Sequence, residues 1–205
     1  NAIGDGASAY GSGSMAMELN ATAIGFNATA NGANSAALGA MAQAAAEYST
    51  AVGAESAALG EQSTATGAAA YATGDGSTAN GALSEASGVE STAVGYFSTA
   101  SADGATALGA ESTASGEDST AVGFASNASQ IGASAFGEGA DASGAYASAL
   151  GSESIASGQQ ATATGFRSDA SGVGASAIGS YSVAAGYLGS AIGYGADAGG
   201  DYATA

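Results

Sequence analysis

The chain has 205 residues, one basic residue, 18 acidic residues and a net charge of −17, and it contains no cysteine, histidine or proline. This charge argues against binding to nucleic acid or anionic lipid, whose phosphates attract lysine and arginine. Without cysteine and histidine there is no disulfide framework, thiolate chemistry, ordinary zinc site or common general base, so we expect no enzyme activity, metal or cofactor.

A seven-residue repeat runs through the chain. Alanine occupies all 30 positions from Ala2 to Ala205 in steps of seven, and glycine follows two residues later at 25 of 29 positions. The exceptions to the glycine series are Glu18, Ala46, Ala102 and Gln130. The repeat reads (Ser/Ala)-x-Ala-y-Gly-z-z without insertion or deletion, which predicts one uninterrupted array over residues 1–205. Because residue 1 is asparagine, we expect this array to be a fragment of a longer chain.

The structural unit is two unlike heptads. From Val94 to Ser157 the y position alternates between a large apolar residue and serine, as in Val94, Ser101, Leu108 and Ser115. Helix is excluded because a coiled coil needs large apolar residues where this repeat has Ala and Gly, and each helical glycine costs about 1 kcal/mol. Disorder does not explain so strict an alternation. The period is therefore fourteen residues.

The repeat predicts a parallel β-solenoid with two strands in each coil. In an extended S-x-A-y-G segment the small residues face one side and the x and y residues face the other. Five residues of strand and two of turn, taken twice, make one coil. Only Ala, Ser and Gly fit between sheets that lie closer than the usual ~10 Å, so the small residues should line a very thin interior.

Large apolar residues should lie outside one of the two strands. Ten of them cannot be left as an exposed stripe, and the simplest cover is the same stripe of another copy, which predicts a symmetric oligomer of parallel chains. Composition does not choose between two and three chains. The ten residues are Ile24, Leu38, Val52, Val94, Leu108, Val122, Phe136, Leu150, Ile178 and Ile192.

Three polar residues interrupt this apolar series, namely Thr66, Asn80 and Thr164. We expect them to form a polar layer at the oligomer axis, where symmetry-related side chains satisfy one another or hold water or an ion.

The turns carry most acids and aromatics. The acids favour solubility and repulsion between particles, and no calcium-binding motif is present. Stacked aromatic residues are candidates for ligand contact or for capping the thin roll; they are Tyr96, Phe97, Phe124, Tyr146, Phe166, Tyr181, Tyr187 and Tyr194.

The unit that begins "STAVG" in 91–104 and 119–132 and "ATALG" in 105–118, with "SAIG" at 176–179 and 190–193, resembles the head repeat of YadA-like trimeric autotransporter adhesins. That family's unit is Asn-Ser-Val-Ala-Ile-Gly followed by two variable residues and Ser. The resemblance implies a left-handed parallel β-roll and a parallel homotrimer, with the ten apolar residues in the trimer core and Thr92, Thr106 and Thr120 beside them. The threonines here replace the family's first apolar residue.

The resemblance implies a rod-like structural adhesion module at the cell surface, anchored to an outer membrane through parts outside this chain. Its partners would be host matrix proteins, glycans or other cells. The alternative is a trimeric fibre segment of a bacteriophage or virus particle, located on the virion. Ice binding through the recurring threonines is a further candidate, whereas a polysaccharide hydrolase would need clustered carboxylates that this sequence spreads along its turns.

Overall fold

The computed structural model describes residues 1–205, and all of its regular elements are β-strands. Two compact units are present, unit 1 (Asn1–Gly104) and unit 2 (Ala105–Ala205). In both units a coil is one three-residue strand, a turn, one two-residue strand and a second turn. We call the sheet of three-residue strands sheet B and the sheet of two-residue strands sheet A. All strand pairing within each unit is parallel, between residues one coil apart, as in Ala9↔Ala23.

In unit 1, sheet B consists of β1 (Ser8–Tyr10), β3 (Thr22–Ile24), β5 (Ala36–Leu38), β7 (Thr50–Val52), β9 (Thr64–Thr66), β11 (Thr78–Asn80) and β13 (Thr92–Val94). Sheet A of the same unit consists of β2 (Met15–Ala16), β4 (Thr29–Ala30), β6 (Gln43–Ala44), β8 (Ala57–Ala58), β10 (Tyr71–Ala72), β12 (Glu85–Ala86) and β14 (Thr99–Ala100).

In unit 2, sheet B consists of β15 (Thr106–Leu108), β17 (Thr120–Val122), β19 (Ser134–Phe136), β21 (Ser148–Leu150), β23 (Thr162–Thr164), β25 (Ser176–Ile178) and β27 (Ser190–Ile192). Sheet A of this unit consists of β16 (Thr113–Ala114), β18 (Asn127–Ala128), β20 (Asp141–Ala142), β22 (Ile155–Ala156), β24 (Asp169–Ala170), β26 (Val183–Ala184) and β28 (Asp197–Ala198).

The interior of each unit is lined by alanine and serine. The strand alanines, such as Ala23 in unit 1 and Ala121 in unit 2, have no solvent exposure, and the largest fully buried side chains are serines. The x and y residues of the repeat lie outside. The predicted all-β parallel solenoid with an interior of small side chains is therefore confirmed.

The strands are shorter than the five residues that the repeat predicts. The residue before a sheet B strand closes a turn instead, as when Ser49 N–H donates to the carbonyl of Ala46 at 3.3 Å. In sheet A one carbonyl often accepts two N–H groups, as Ala100 does from Ser87 and Gly88. The regular β-ladder of sheet A ends there, because the second N–H group shares a carbonyl with the first instead of pairing with the next residue of the neighbouring strand.

The glycines of both turns lie against the backbone of the next coil, but only one of them also has a φ that other residues rarely adopt. After every sheet B strand the glycine has φ between 129° and 145°, a region that other residues rarely adopt. All fourteen of these positions, from Gly11 to Gly193, are glycine. The glycine after a sheet A strand has no such φ, and it is required by close approach to the next coil, as Gly32 is by the carbonyl of Ala46. All four exceptions to the glycine series lie in this second turn.

Buried serine hydroxyls close the turns. All but two donate to the carbonyl three residues earlier, for example Ser35 Oγ to Gly32 at 2.6 Å and Ser126 Oγ to Gly123 at 3.0 Å. A buried hydroxyl needs such a partner, and only Ser77 and Ser119 have a buried Oγ without one. A serine before a strand therefore adds a side-chain hydrogen bond to the turn that precedes that strand.

Candidate interaction surfaces

The outer surface of sheet B carries no charged residue. We define the sheet B face as the first and third side chains of each sheet B strand, because these point away from the interior. First positions hold Thr, Ser or Ala, and third positions hold mostly large apolar residues. Within each unit the third-position side chains stack one coil apart, about 4.8 Å.

The ten apolar residues expected in an oligomer core all occupy third positions of the sheet B face. Eight are exposed, with exposures of 36% for Leu38, 42% for Ile178 and 63% for Ile192, and Val94 and Val122 are half-buried. Each unit therefore presents an uncovered apolar stripe. The assignment of these residues to an oligomer core remains a prediction.

Polar residues interrupt this stripe in both units. Thr66 and Asn80 are neighbours in adjacent coils of unit 1, with Val52 and Val94 on either side. In unit 2, Thr164 lies between Leu150 and Ile178. Asn80 is exposed and the two threonines are half-buried. All three side chains belong to the sheet B face.

All charged side chains lie on the turns or on sheet A. Four acids occupy first positions of sheet A strands, namely Glu85, Asp141, Asp169 and Asp197. The sole arginine, Arg167, lies in a turn that follows a sheet B strand. Copies of a chain with a net charge of −17 repel one another, and the charge-free sheet B face is where that repulsion is smallest.

A groove of about 570 Å³ lies on the sheet A side of unit 2. Its floor is formed by Asp141, Ile155, Asp169 and Val183 from successive strands, and its wall by turn residues that include Glu153, Arg167 and Tyr181. The floor therefore alternates carboxylate and aliphatic side chains. Asn127 Nδ2 donates to Asp141 Oδ1 at 3.0 Å, whereas the buried Oδ1 of Asp169 has no hydrogen-bond partner.

Arg167 is held at the wall of this groove. Its Nε donates to Glu153 Oε2 at 2.6 Å, and its guanidinium carbon lies 5.0 Å from the centre of the Phe166 ring. The hydrogen bond and charge of Glu153 raise the pKa of Arg167 above its ordinary value. Glu153 and Arg167 are one period apart, so the repeat alone contained the signal for this pair, although sequence reasoning missed it.

Unit 1 has a matching groove of about 520 Å³ with different chemistry. Its floor uses the same sheet A positions, here Thr29, Gln43, Ala57 and Tyr71, and its wall contains Glu55 as the one acid. The same backbone geometry therefore presents a mostly neutral groove in unit 1 and a charged one in unit 2.

The eight aromatic residues singled out in the turns are all exposed, from 38% for Phe166 to 82% for Tyr194. Some form edge-to-face pairs between coils, with centroids 5.3 Å apart for Phe166 and Tyr181 and 5.8 Å for Tyr181 and Tyr194. Tyr187 pairs with Tyr202, which sequence reasoning did not select. The ring centroids of Tyr96 and Phe97 lie 6.3 Å apart. The remaining two residues of the eight are Phe124 and Tyr146.

Aspartates in the second turn bind the backbone of the preceding coil. The Oδ1 atoms of Asp75, Asp103 and Asp201 accept the N–H groups of Glu61, Val89 and Tyr187 at 2.9–3.0 Å. These turn aspartates therefore link adjacent coils. The sequence pattern alone indicates only solubility and repulsion for the turn acids.

Replacing Asp103 by alanine should remove one such link and lower the free energy of unfolding by about 1 kcal/mol, the usual contribution of a hydrogen bond. Glu111→Ala is the matched control, because Glu111 is an exposed turn acid without a hydrogen bond of this kind. Urea unfolding followed by circular dichroism measures both variants. Equal losses in the two variants would contradict the linking role.

The structure contains no helix suited to crossing a membrane. It also contains no group of three acidic side chains arranged to hold a metal ion.

The family model "YadA head domain repeat (2 copies)" matches residues 19–40, 30–56, 58–84, 86–112, 114–140, 142–168 and 170–187, which is well over half of the chain. Comparison with solved structures gives the crystal structure of the collagen-binding domain of the Yersinia adhesin YadA, at 26% identity and a TM-score of 0.30. The match covers 85% of this chain and 66% of that one. Comparison with the curated proteins gives no match.

Proposed function

We propose, from the premise that this chain belongs to the YadA head family, that it is an adhesion module that acts outside the cell. The resemblance seen in the sequence is confirmed by the family match. The observation that carries the proposal is the division of surfaces within each unit. One face is charge-free and mostly apolar, and the opposite side is grooved and flanked by turns that carry acidic and aromatic residues.

The sheet B face is the surface for association with further copies of the chain. Covering a large apolar side chain contributes about 2 kcal/mol, and each unit offers several in a row at the same spacing. A second copy has the same spacing and no charge on this face, so its stripe fits without bringing like charges together. The family resemblance supports three parallel chains.

The sheet A side and the turns are the surface for an extracellular ligand. They remain free when the sheet B face is covered, and they hold the exposed aromatic residues that commonly anchor interfaces. The unit 2 groove adds hydrogen-bond donors and acceptors from Arg167 and Asp169. Protein or glycan ligands on host matrix or on other cells suit such a surface, and weak contacts on several chains would add through avidity.

The repeat runs without insertion from one unit into the next in the sequence, which supports a single functional array over residues 1–205. Display at a cell surface follows from the family. No catalytic role is proposed, because the carboxylates are spread over turns and strands of both units.

The test of adhesion uses beads that carry the chain, applied to surfaces coated with collagen, with neutral oligosaccharides or with albumin. We expect retention under flow on collagen or oligosaccharide that exceeds retention on albumin several-fold. A variant with Tyr181→Ala and Arg167→Ala should lose part of it. Tyr48→Ala, an exposed turn tyrosine of unit 1 that lines neither groove, should lose less.

Retention no greater than on albumin for every coating would count against the adhesion proposal. Inhibition of ice growth by the free chain would instead favour the threonine ladder of the sheet B face as the functional surface.

A further inference from the structure

The sheet B face is nearly periodic, which creates a problem for any pair of copies that meet on it. First positions in unit 1 are Thr, Ser or Ala in every strand, and third positions are mostly aliphatic. Sliding one copy by one coil, about 4.8 Å, would exchange each contact for an almost equivalent one. An apolar stripe alone therefore does not fix the axial register of associated chains.

Two adjacent coils of unit 1 break this periodicity. Thr66 and Asn80 occupy third positions in β9 and β11 and pair with each other in the sheet. Val52 flanks Thr66 on one side, and Val94 flanks Asn80 on the other. Both polar side chains point away from the interior, with Asn80 exposed and Thr66 half-buried. They lie on the same stripe as Ile24 and Leu38, so a partner that covers those residues also covers them.

Register decides whether these polar groups are satisfied. When copies are in register, Asn80 faces Asn80, and an amide both donates and accepts, as the Thr66 hydroxyl also does. When one copy slips by a coil, the amide of Asn80 in one chain faces Val94 of the other, and a Thr66 hydroxyl also faces Val52. A buried polar group without a partner lowers association by roughly tenfold or more.

We infer that Thr66 and Asn80 set the axial register of associated copies of this chain, by making every slipped arrangement bury an unpaired amide or hydroxyl. A single buried asparagine fixes register in coiled coils for the same reason. This inference rests on the proposed association through the sheet B face. Thr66 and Asn80 make the interface less stable than an all-apolar stripe would, but they favour a single alignment of the chains.

The test moves the polar pair by one coil without changing the composition of the face. The shifted variant carries Val52→Thr, Thr66→Asn and Asn80→Val. The control variant carries Leu38→Val and Val52→Leu, which exchanges apolar residues and leaves the polar pair in place. Each variant is co-expressed with a differently tagged wild-type chain, and native mass spectrometry counts pure and mixed oligomers.

We expect the control to mix statistically with the wild type and the shifted variant to form mixed oligomers at least tenfold less often. Statistical mixing of the shifted variant would overturn the register inference while leaving association intact. A monomeric wild-type chain would overturn both the inference and the association on which it rests.

A second variant covers the case in which the shifted chain does not accumulate. Thr66→Val together with Asn80→Val changes only outward side chains, so the fold should persist. This variant should still associate, and it should mix with the wild type less often than the control does, because wild-type Asn80 then faces valine. Mixing equal to that of the control would overturn the inference.

Discussion

Replacing Gly123 by alanine should destabilise unit 2 by about 3 kcal/mol or more, because the added Cβ meets two separate obstacles. Gly123 has φ of +133°, and its Cβ would lie 2.5 Å from the carbonyl oxygen of Gly137. That oxygen belongs to the backbone of the next coil, so it cannot move aside without displacing a strand. Urea unfolding at fixed protein concentration, followed by circular dichroism, measures the loss.

Gly139→Ala is the matched control in the next coil. Gly139 has φ of +62°, and the nearest atom to its Cβ would be Glu153 Cγ at an ordinary 3.8 Å. Ala125, one coil earlier, already occupies the equivalent position with φ of 53°. We expect a loss of about 1 kcal/mol, the usual cost of a left-handed residue. Equal losses at Gly123 and Gly139 would contradict the assignment of different roles to the two positions.

Replacing Leu38 by aspartate should abolish association through the sheet B face. The change removes about 2 kcal/mol of apolar burial from each chain and places an unpaired charge in the interface at a further cost of several kcal/mol. Association should weaken by roughly a thousandfold or more. Leu150→Asp should act in the same way from unit 2. Sedimentation velocity of the wild type and the variants gives the mass of each species.

Leu59→Asp is the control for Leu38→Asp. Leu59 lies in unit 1, and its 40% exposure is close to the 36% of Leu38, but it follows β8 on sheet A. We expect Leu59→Asp to sediment like the wild type. If Leu38→Asp also keeps the mass of an associated wild type, or if the wild-type chain is a monomer, the sheet B face is not the interface.

Much of the fold was predictable because one pattern repeats many times. An invariant alanine every seven residues, with small residues two places before and glycine two places after, fixed the parallel coils and the inside and outside of every strand. The resemblance carried by the "STAVG" units added the family. The ten apolar residues and the three polar ones were placed on one face of each unit by their shared position in the repeat.

Other features depended on contacts between coils, which a linear pattern does not display. The repeat treats its two glycines alike, and in both turns an added Cβ would meet the backbone of the next coil. Only the glycine after a sheet B strand also has φ near +135°, and all four exceptions lie in the other series. The repeat also predicted strands of five residues, whereas turn hydrogen bonds shorten them to three and two.

The grooves show the division between sequence and tertiary structure most directly. The sequence by itself determined which residues are small, apolar or charged, and its fourteen-residue period determined which of them occupy the same position in successive coils. Only the tertiary structure decided that the turn side chains of one coil rise beside the sheet A side chains of another, forming a groove around Arg167 and Asp169. The reason is that a residue's position in the repeat follows from its spacing along the chain. The depth of a groove depends instead on how far the side chains of neighbouring turns project beyond the strands.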